Sequence, residues 1–356
     1  MKPACLLARM LRSIRAPHFA AGSLLAALCV ALGLAMLAAL AVGGVPVPIA
    51  DVVSALLGND DGSLHHNVIV AIRLPRVLLA ATVGAGLACS GAVLQGLFRN
   101  PLVDPTFIGA TSGAAMGAAL AIVFGAPLAL LLPPLVRPWL ISLASMIGCF
   151  ALLRVALGMS RVQGRVVIAQ LLLVGIALAA LAGTVMGLCV TFADDAQART
   201  ITFWTLGSLG GASLRTLMLV APVTAIGIVL LLPHASALDA MTLGEAEAAN
   251  LGVDVDRVKR RALVLVAIIV GVSVSMVGQI GFVGIVVPQL VRLSFGSRHR
   301  PLLVGSVVGG ALLLVLADTV ARTVVLPAEL PIGIVTGALG APFFLVLLRR
   351  RSGALA

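Results

Sequence analysis

Apolar runs of about twenty residues recur along this chain from residue 19 to residue 348, and they leave it very few ways to fold. They lie at 19–42, 76–98, 107–124, 139–157, 166–190, 214–233, 262–278, 281–295, 301–320 and 331–348. Lipid offers no partner to a bare peptide group, so a spanning segment must be an α-helix or a strand of a closed barrel. A barrel would show short alternating strands with aromatic girdles. Here the runs are continuous and tyrosine is absent. The sequence predicts an all-α polytopic membrane protein with about ten transmembrane helices, forming a single transmembrane domain over residues 1–356. The first run is longer than the apolar core of a secretory signal and is read as a retained span.

The formal net charge of +11 could point to a nucleic acid, but the placement of the charges argues otherwise. With the N-terminus in the cytoplasm, Lys2, Arg9, Arg12, Arg15, Arg99, Arg154, Arg161, Arg165, Arg257, Lys259, Arg260, Arg261, Arg292, Arg298, Arg300, Arg349, Arg350 and Arg351 fall inside or at cytoplasmic ends. Only Arg73, Arg76, Arg137, Arg199, Arg215 and Arg322 fall outside. That asymmetry is the positive-inside pattern, so the basic character reports topology, with both termini cytoplasmic and no nucleic-acid partner expected.

The chain carries no visible source of energy. Its two lysines, Lys2 and Lys259, do not follow glycine, so it lacks the phosphate-cradling loop of an ATPase and is not expected to be an enzyme. His18, His65, His66, His234 and His299 lie outside the spans or at their ends and are read as solvated; no metal or cofactor site is expected. Cys5, Cys29, Cys89, Cys149 and Cys189 are scattered, and most are read as small apolar residues within spans. Asp318, near an outer end, is the one carboxylate inside a span, which disfavours an ion-coupled secondary transporter. No carbonyl filter or charged ring marks a pore. Against this background the stretch 239–261 stands out: it is rich in acids and bases in an otherwise apolar chain, and the simplest reason for it is a partner on the cytoplasmic side that grips it. The segment 191–213, with Phe203-Trp204 beside a glycine-rich run, reads either as a short interfacial helix or as a plain loop anchored at the membrane surface. Glycines four apart, Gly113/Gly117, Gly183/Gly187, Gly305/Gly309 and Gly333/Gly337, predict close helix packing.

Arg73-Leu-Pro-Arg76, the small-residue run from Gly84 to Gly91, Gln95, Arg99-Asn-Pro-Leu-Val-Asp-Pro105, Phe203-Trp204, Leu243-Gly-Glu-Ala-Glu247 with Leu251-Gly252, Gly281-Phe-Val-Gly284, Pro288, Asp318 and Glu329-Leu-Pro-Ile-Gly333 occur in order over nearly the whole chain. Together they resemble the permeases of type II ATP-binding-cassette (ABC) importers, which carry haem, ferric siderophores or cobalamin. The resemblance implies a bacterial inner-membrane homodimer with the pathway between the two copies. It also implies two cytoplasmic ATPase subunits, which use the ATP, and a periplasmic binding protein. Residues 239–261 then correspond to the coupling segment seated in the ATPase, with Leu243, Gly244, Glu245, Glu247 and Asn250 at its centre and Gly244 and Gly252 dividing it into short helices. Arg73, Arg76 and Arg322 correspond to arginines that receive carboxylates of the binding protein, and Asn100, Pro101 and Leu102 to part of a cytoplasmic gate. Two positions depart from the pattern: Gln279 stands where the family commonly has proline, and Gln289 where it has histidine. The runs Phe98–Pro105 and Arg199–Gly211 look most like the haem-importing branch, with ferric siderophore and cobalamin as the alternatives.

Overall fold

A computed structural model describes residues 21–59, 62–162 and 165–352. Lys2, Cys5, Arg9, Arg12, Arg15 and His18 lie outside the described residues. Each of the apolar runs is a helix. In chain order the helices are α1 (Ala21–Ala41), α2 (Ile49–Leu56), α3 (Leu74–Leu97), α4 (Ala110–Leu131), α5 (Leu140–Met159), α6 (Ile168–Phe192), α7 (Asp195–Leu206) and α8 (Leu214–Leu231). They continue with α9 (Ala235–Thr242), α10 (Glu245–Asn250), α11 (Val255–Val277), α12 (Val283–Phe295), α13 (His299–Ala321) and α14 (Ile332–Ser352). A small antiparallel hairpin, β1 (Arg161–Val162) and β2 (Arg165–Val166), joins α5 to α6. Eight helical stretches among the described residues are long and apolar enough to cross a membrane.

Boundaries move where a cap or a break intervenes. α11 begins ahead of its apolar run because the Asp254 side chain accepts the Arg257 N–H at 3.0 Å, so the charged end of the segment 239–261 is helical. The segment ahead of α3 is not a plain loop: a helical turn at Leu64–Asn67 and a π-helical stretch at Val68–Arg73 lead into it. α12, with 13 residues, covers only about 20 Å at 1.5 Å per residue, short of a hydrocarbon core of about 30 Å. The backbone before it is non-helical, with Phe282 at φ 67°, and is held by protein: Ser208 donates its N–H to Val277 O at 2.8 Å, and Gln279 Nε2 donates to Thr111 O at 3.1 Å. Irregular backbone at this depth is tolerated only with such partners. α7 settles the Phe203-Trp204 segment as a helix, opened by a capping box between Asp194 and Gln197.

α3 is the centre of the bundle. α13, α12, α11, α8, α9 and α1 all pack on it, and its residues from Val83 to Leu97 are buried almost without interruption. Burying apolar surface gives no driving force between helices in lipid, so association depends on close packing, which the small residues of α3 permit. A Cβ on Gly84 would collide with Gly310 O of α13, and one on Gly91 with Gly284 O of α12. The α4–α5 pair is built the same way, Gly113 against Gly148 and Gly117 against Ala144. Not every spaced pair found by sequence is used so: Gly305 and Gly309 meet Val291 and Val287, Gly333 meets Leu206 O, while Gly183, Gly187 and Gly337 face open space within the chain.

Gly84→Ala is expected to destabilise the protein by about 1–3 kcal/mol, because backbone must move to admit the methyl group. Gly33→Ala, where nothing lies within 4 Å, is expected to be silent. Thermal unfolding in detergent checks both, and equal midpoints for the two variants would contradict the packing described.

Candidate functional site

Charged groups sit at both ends of the α3–α13 pair. At the end expected to face outward, Arg76 Nε donates to Asp318 Oδ1 and Oδ2 at 3.0 and 3.1 Å, and its Nη2 to Oδ1 at 2.9 Å. Its Nη1 reaches both oxygens of Glu329 at 2.9 Å. Arg322, one turn beyond Asp318, brings Nε to 3.8 Å from that carboxylate and donates Nη2 to Ala39 O. Arg73 Nη1 donates to Leu40 O at 2.6 Å and Ala41 O at 2.9 Å, and Nη2 to Val45 O. The carbonyls of Ala39, Leu40 and Ala41 belong to the last turn of α1. That turn lacks helical N–H partners and carries the negative end of the helix dipole, so guanidinium groups satisfy it in two ways. Gly43 makes room for this: a Cβ there would fall 2.7 Å from Arg73 Nη2 and 3.4 Å from Arg322 Nη1.

The three arginines expected to face a docking partner are therefore buried, with relative exposures of 4%, 9% and 6% for Arg73, Arg76 and Arg322, and each donates within the chain, although the buried Arg322 Nε has no hydrogen-bond partner among the described residues. Sequence placed them at the membrane interface by counting spans. It could not see that the end of α1 and the Asp318 carboxylate supply enough acceptors to draw them inward. Three arginines here face two carboxylates, which leaves one positive charge unbalanced. Glu329 is the partner that stays open to solvent, its side chain 46% exposed.

At the opposite end, expected to face the cytoplasm, Gly244 (φ 128°) and Gly252 (φ 85°) break the segment 239–261 as the resemblance implied, leaving α10 as a separate short helix. Leu243 and Leu251 flank α10 at 69% and 65% exposure, beside the exposed Glu247 and Asn250. The two glutamates differ. Glu247 has no ion pair among the described residues, whereas Glu245 Oε2 accepts from the buried Lys259 Nζ at 2.6 Å. Lys259 also donates to Val166 O of the hairpin at 3.3 Å. α10 is thus fastened to α11 and to β2. α9 is fastened to α13: Asp239 Oδ1 accepts the His299 backbone N–H at 2.9 Å and lies 2.7 Å from its Nδ1.

His299 corrects the reading of the histidines as solvated, because it is only 3% exposed and lies against α3, where a Cβ on Gly96 would collide with its Nε2. His65 is also bound, to Asp51 Oδ2 at 2.6 Å. No motif marks Lys259 or His299. The available hints were that Lys259 is one of two lysines and that Asp239 and His299 both sit at a cytoplasmic helix end.

The expected gate residues form a closed turn after α3. Asn100 donates its N–H to Gln95 O at 3.1 Å, its Oδ1 accepts from Leu102 N–H at 3.0 Å, and Arg99 takes a left-handed φ of 48°. Asn100 is exposed, while Pro101 and Leu102 are half-buried. Asp104 then caps the next turn through the Thr106 N–H at 2.9 Å and packs beside Gly284. Burial pushes its carboxyl above the ordinary carboxylate range, with the Thr106 contacts pulling the other way.

A bundle of apolar helices, with a segment of short polar helices at one end and buried charges at the other, fits the permeases of ABC importers that the sequence motifs resemble. Residues 28–350 match the FecCD transport family, and the chain belongs to that family. It is 46% identical over 280 residues, 79% of its length and 82% of the relative's, to the hemin transport system permease protein HmuU of Yersinia pestis. It is 40% identical over 296 residues, 82% of its length and 86% of the relative's, to the vitamin B12 import system permease protein BtuC of Vibrio vulnificus. A solved structure described as an inward-facing conformation of an ABC transporter assigned to the metal-chelate type superposes with a TM-score of 0.80 at 32% identity, covering 92% of this chain and 99% of that one.

Replacing Asp318 with leucine removes the buried carboxylate that Arg76 and Arg322 share and is expected to cost about 3–5 kcal/mol. Glu329→Gln, at a half-exposed pair, is expected to cost about 1 kcal/mol or less. Unfolding midpoints of the purified variants check the difference, and a larger loss for Glu329→Gln would contradict the assignment of Asp318 as the central acceptor.

Proposed function

We propose that this permease carries haem from the periplasm to the cytoplasm. It works as a homodimer in the bacterial inner membrane, with both termini cytoplasmic, two ATPase subunits below and a periplasmic binding protein above. The observation that carries the cargo is the higher identity to the hemin permease, 46%, than to the cobalamin permease, 40%. The best-supported alternatives are cobalamin and ferric siderophores, since permeases for cobalamin and iron chelates are also relatives.

The exposed Leu243 and Leu251 with Glu247 and Asn250 form the surface offered to the ATPase, while Gly244 and the Glu245–Lys259 pair fix its orientation. Large apolar side chains in water beside an acceptor suit a partner's cleft. Movement of that surface reaches the bundle by two links: through Lys259 into α11, and through Asp239 and His299 into α13. The turn of Asn100, Pro101 and Leu102, at the inner end of α3, is the part of the gate that moves with it. At the outer end, the surplus positive charge of the Arg73, Arg76 and Arg322 cluster attracts the binding protein's carboxylates, and Glu329 is the internal carboxylate that such a group would replace on Arg76. Two-pronged arginine–carboxylate contacts fix orientation as well as adding attraction.

In proteoliposomes holding the chain with its ATPase and binding protein, ATP is expected to drive uptake of haem. The same chain alone under a pH gradient is expected to transport nothing. The Glu245→Arg, Glu247→Arg double variant is expected to lose at least about tenfold in ATP-driven uptake, equivalent to about 1.4 kcal/mol. Uptake of cobalamin or a ferric siderophore in place of haem would reassign the cargo. Transport by the chain alone would overturn the importer reading in favour of an ion-coupled carrier, and full activity of the double variant would overturn the role of α10.

A further inference from the structure

The bundle carries an open groove apart from the charged clusters described above. It runs between α5 and α11 with a volume of about 630 Å³, and its walls include Leu143, Ile147, Phe150 and Leu157 of α5 and Val264 of α11. From Leu143 to Leu157 it follows α5 for about 21 Å at 1.5 Å per residue, longer than half of a hydrocarbon core of about 30 Å. Arg154 is the one polar residue in its lining.

The charges lie at one end. α5 finishes and α11 starts on the same side of the membrane, because the two helices are antiparallel. The Arg154 guanidinium extends along α5 toward that end, with Nη1 3.6 Å from where a Cβ on Gly158 would stand. Arg260 and Arg261 lie in the second turn of α11, about one turn before Val264, and Arg161 opens the hairpin just beyond α5. None of these four arginines has an ion pair among the described residues. The nearby acids are already engaged, Asp256 with Arg165 at 3.6 Å, Asp254 with Arg257 at 3.1 Å and Glu245 with Lys259 at 2.6 Å.

We propose that the groove binds an anionic phospholipid, with one acyl chain along α5 and the headgroup phosphate at Arg154 and the arginine-rich start of α11. An apolar trough inside the membrane-spanning region meets acyl chains. Unpaired cations at its headgroup end select lipids that carry net negative charge, as basic pockets between transmembrane helices do. The long arginine stem lies along the apolar wall while its head reaches the interface. Since α11 leads out of α10, the bound lipid braces the helix that holds the coupling segment.

The test uses the purified, delipidated full chain in detergent, titrated with phosphatidylglycerol or phosphatidylcholine. Thermal midpoint and the number of retained lipids by native mass spectrometry are the readouts. Phosphatidylglycerol is expected to raise the midpoint by several degrees and to remain bound, while phosphatidylcholine does neither. Arg154→Ala is expected to weaken phosphatidylglycerol binding about tenfold with an unchanged lipid-free midpoint, and Arg154→Lys to retain much of it. Ile147→Trp, which fills the groove, is expected to abolish retention. Three results would overturn the proposal: equal stabilisation by both lipids, an Arg154→Ala response identical to wild type, or a change of oligomeric state in Ile147→Trp, which would make the groove a contact between copies of the chain.

Discussion

Everything else in this structure depends on how closely other helices approach α3. In water a core helix could be held by apolar burial alone, but in lipid it needs contact close enough for backbones to touch. Gly84, Gly86, Gly91 and Gly96 bring neighbours onto α3 in succession, Gly310, Ile269, Gly284 and His299. Gly84 and Gly91 meet the backbones of α13 and α12 directly, while Gly86 and Gly96 admit the side chains of Ile269 on α11 and His299 on α13. A bundle assembled this way resists bending, because any shift of α3 carries its neighbours with it.

That rigidity gives the buried charges a purpose. Isolated ions cost several kcal/mol each to remove from water, and they persist only where acceptors surround them. At the outer end Asp318 and the last carbonyls of α1 supply those acceptors, and at the inner end Asp239 meets His299. Both anchors lie on the same α3–α13 pair, one at each membrane face. In the proposed mechanism, a pull on α9 is thereby delivered to the α3–α13 pair that carries Arg76 and Arg322, with no flexible joint between them. Glu245 and Lys259 add a second link through α11.

The spans were legible because the period and length of apolar runs obey the bilayer directly, and every run became a helix close to its expected position. The breaks at Gly244 and Gly252 were legible for a similar reason, since a left-handed residue favours glycine. Tertiary charge pairing was not legible. Arg76 and Asp318 are 242 positions apart, and hydropathy assigned each of them only a depth. His299 was placed in water because it begins a helix, but that start is where α3 and α9 close over it. The spaced glycines were legible as a class and not one by one: Gly113 and Gly117 meet backbone, while Gly183 and Gly187 meet nothing within the chain.

In the proposed mechanism, energy delivered at α9 and α10 reaches the bundle through Asp239 and His299. The direct measurement is the ratio of substrate imported to ATP hydrolysed by the reconstituted complex carrying Asp239→Ala. The account predicts that hydrolysis continues near the wild-type rate while uptake per ATP falls about tenfold. An unchanged ratio, with the variant complex fully assembled, would contradict it.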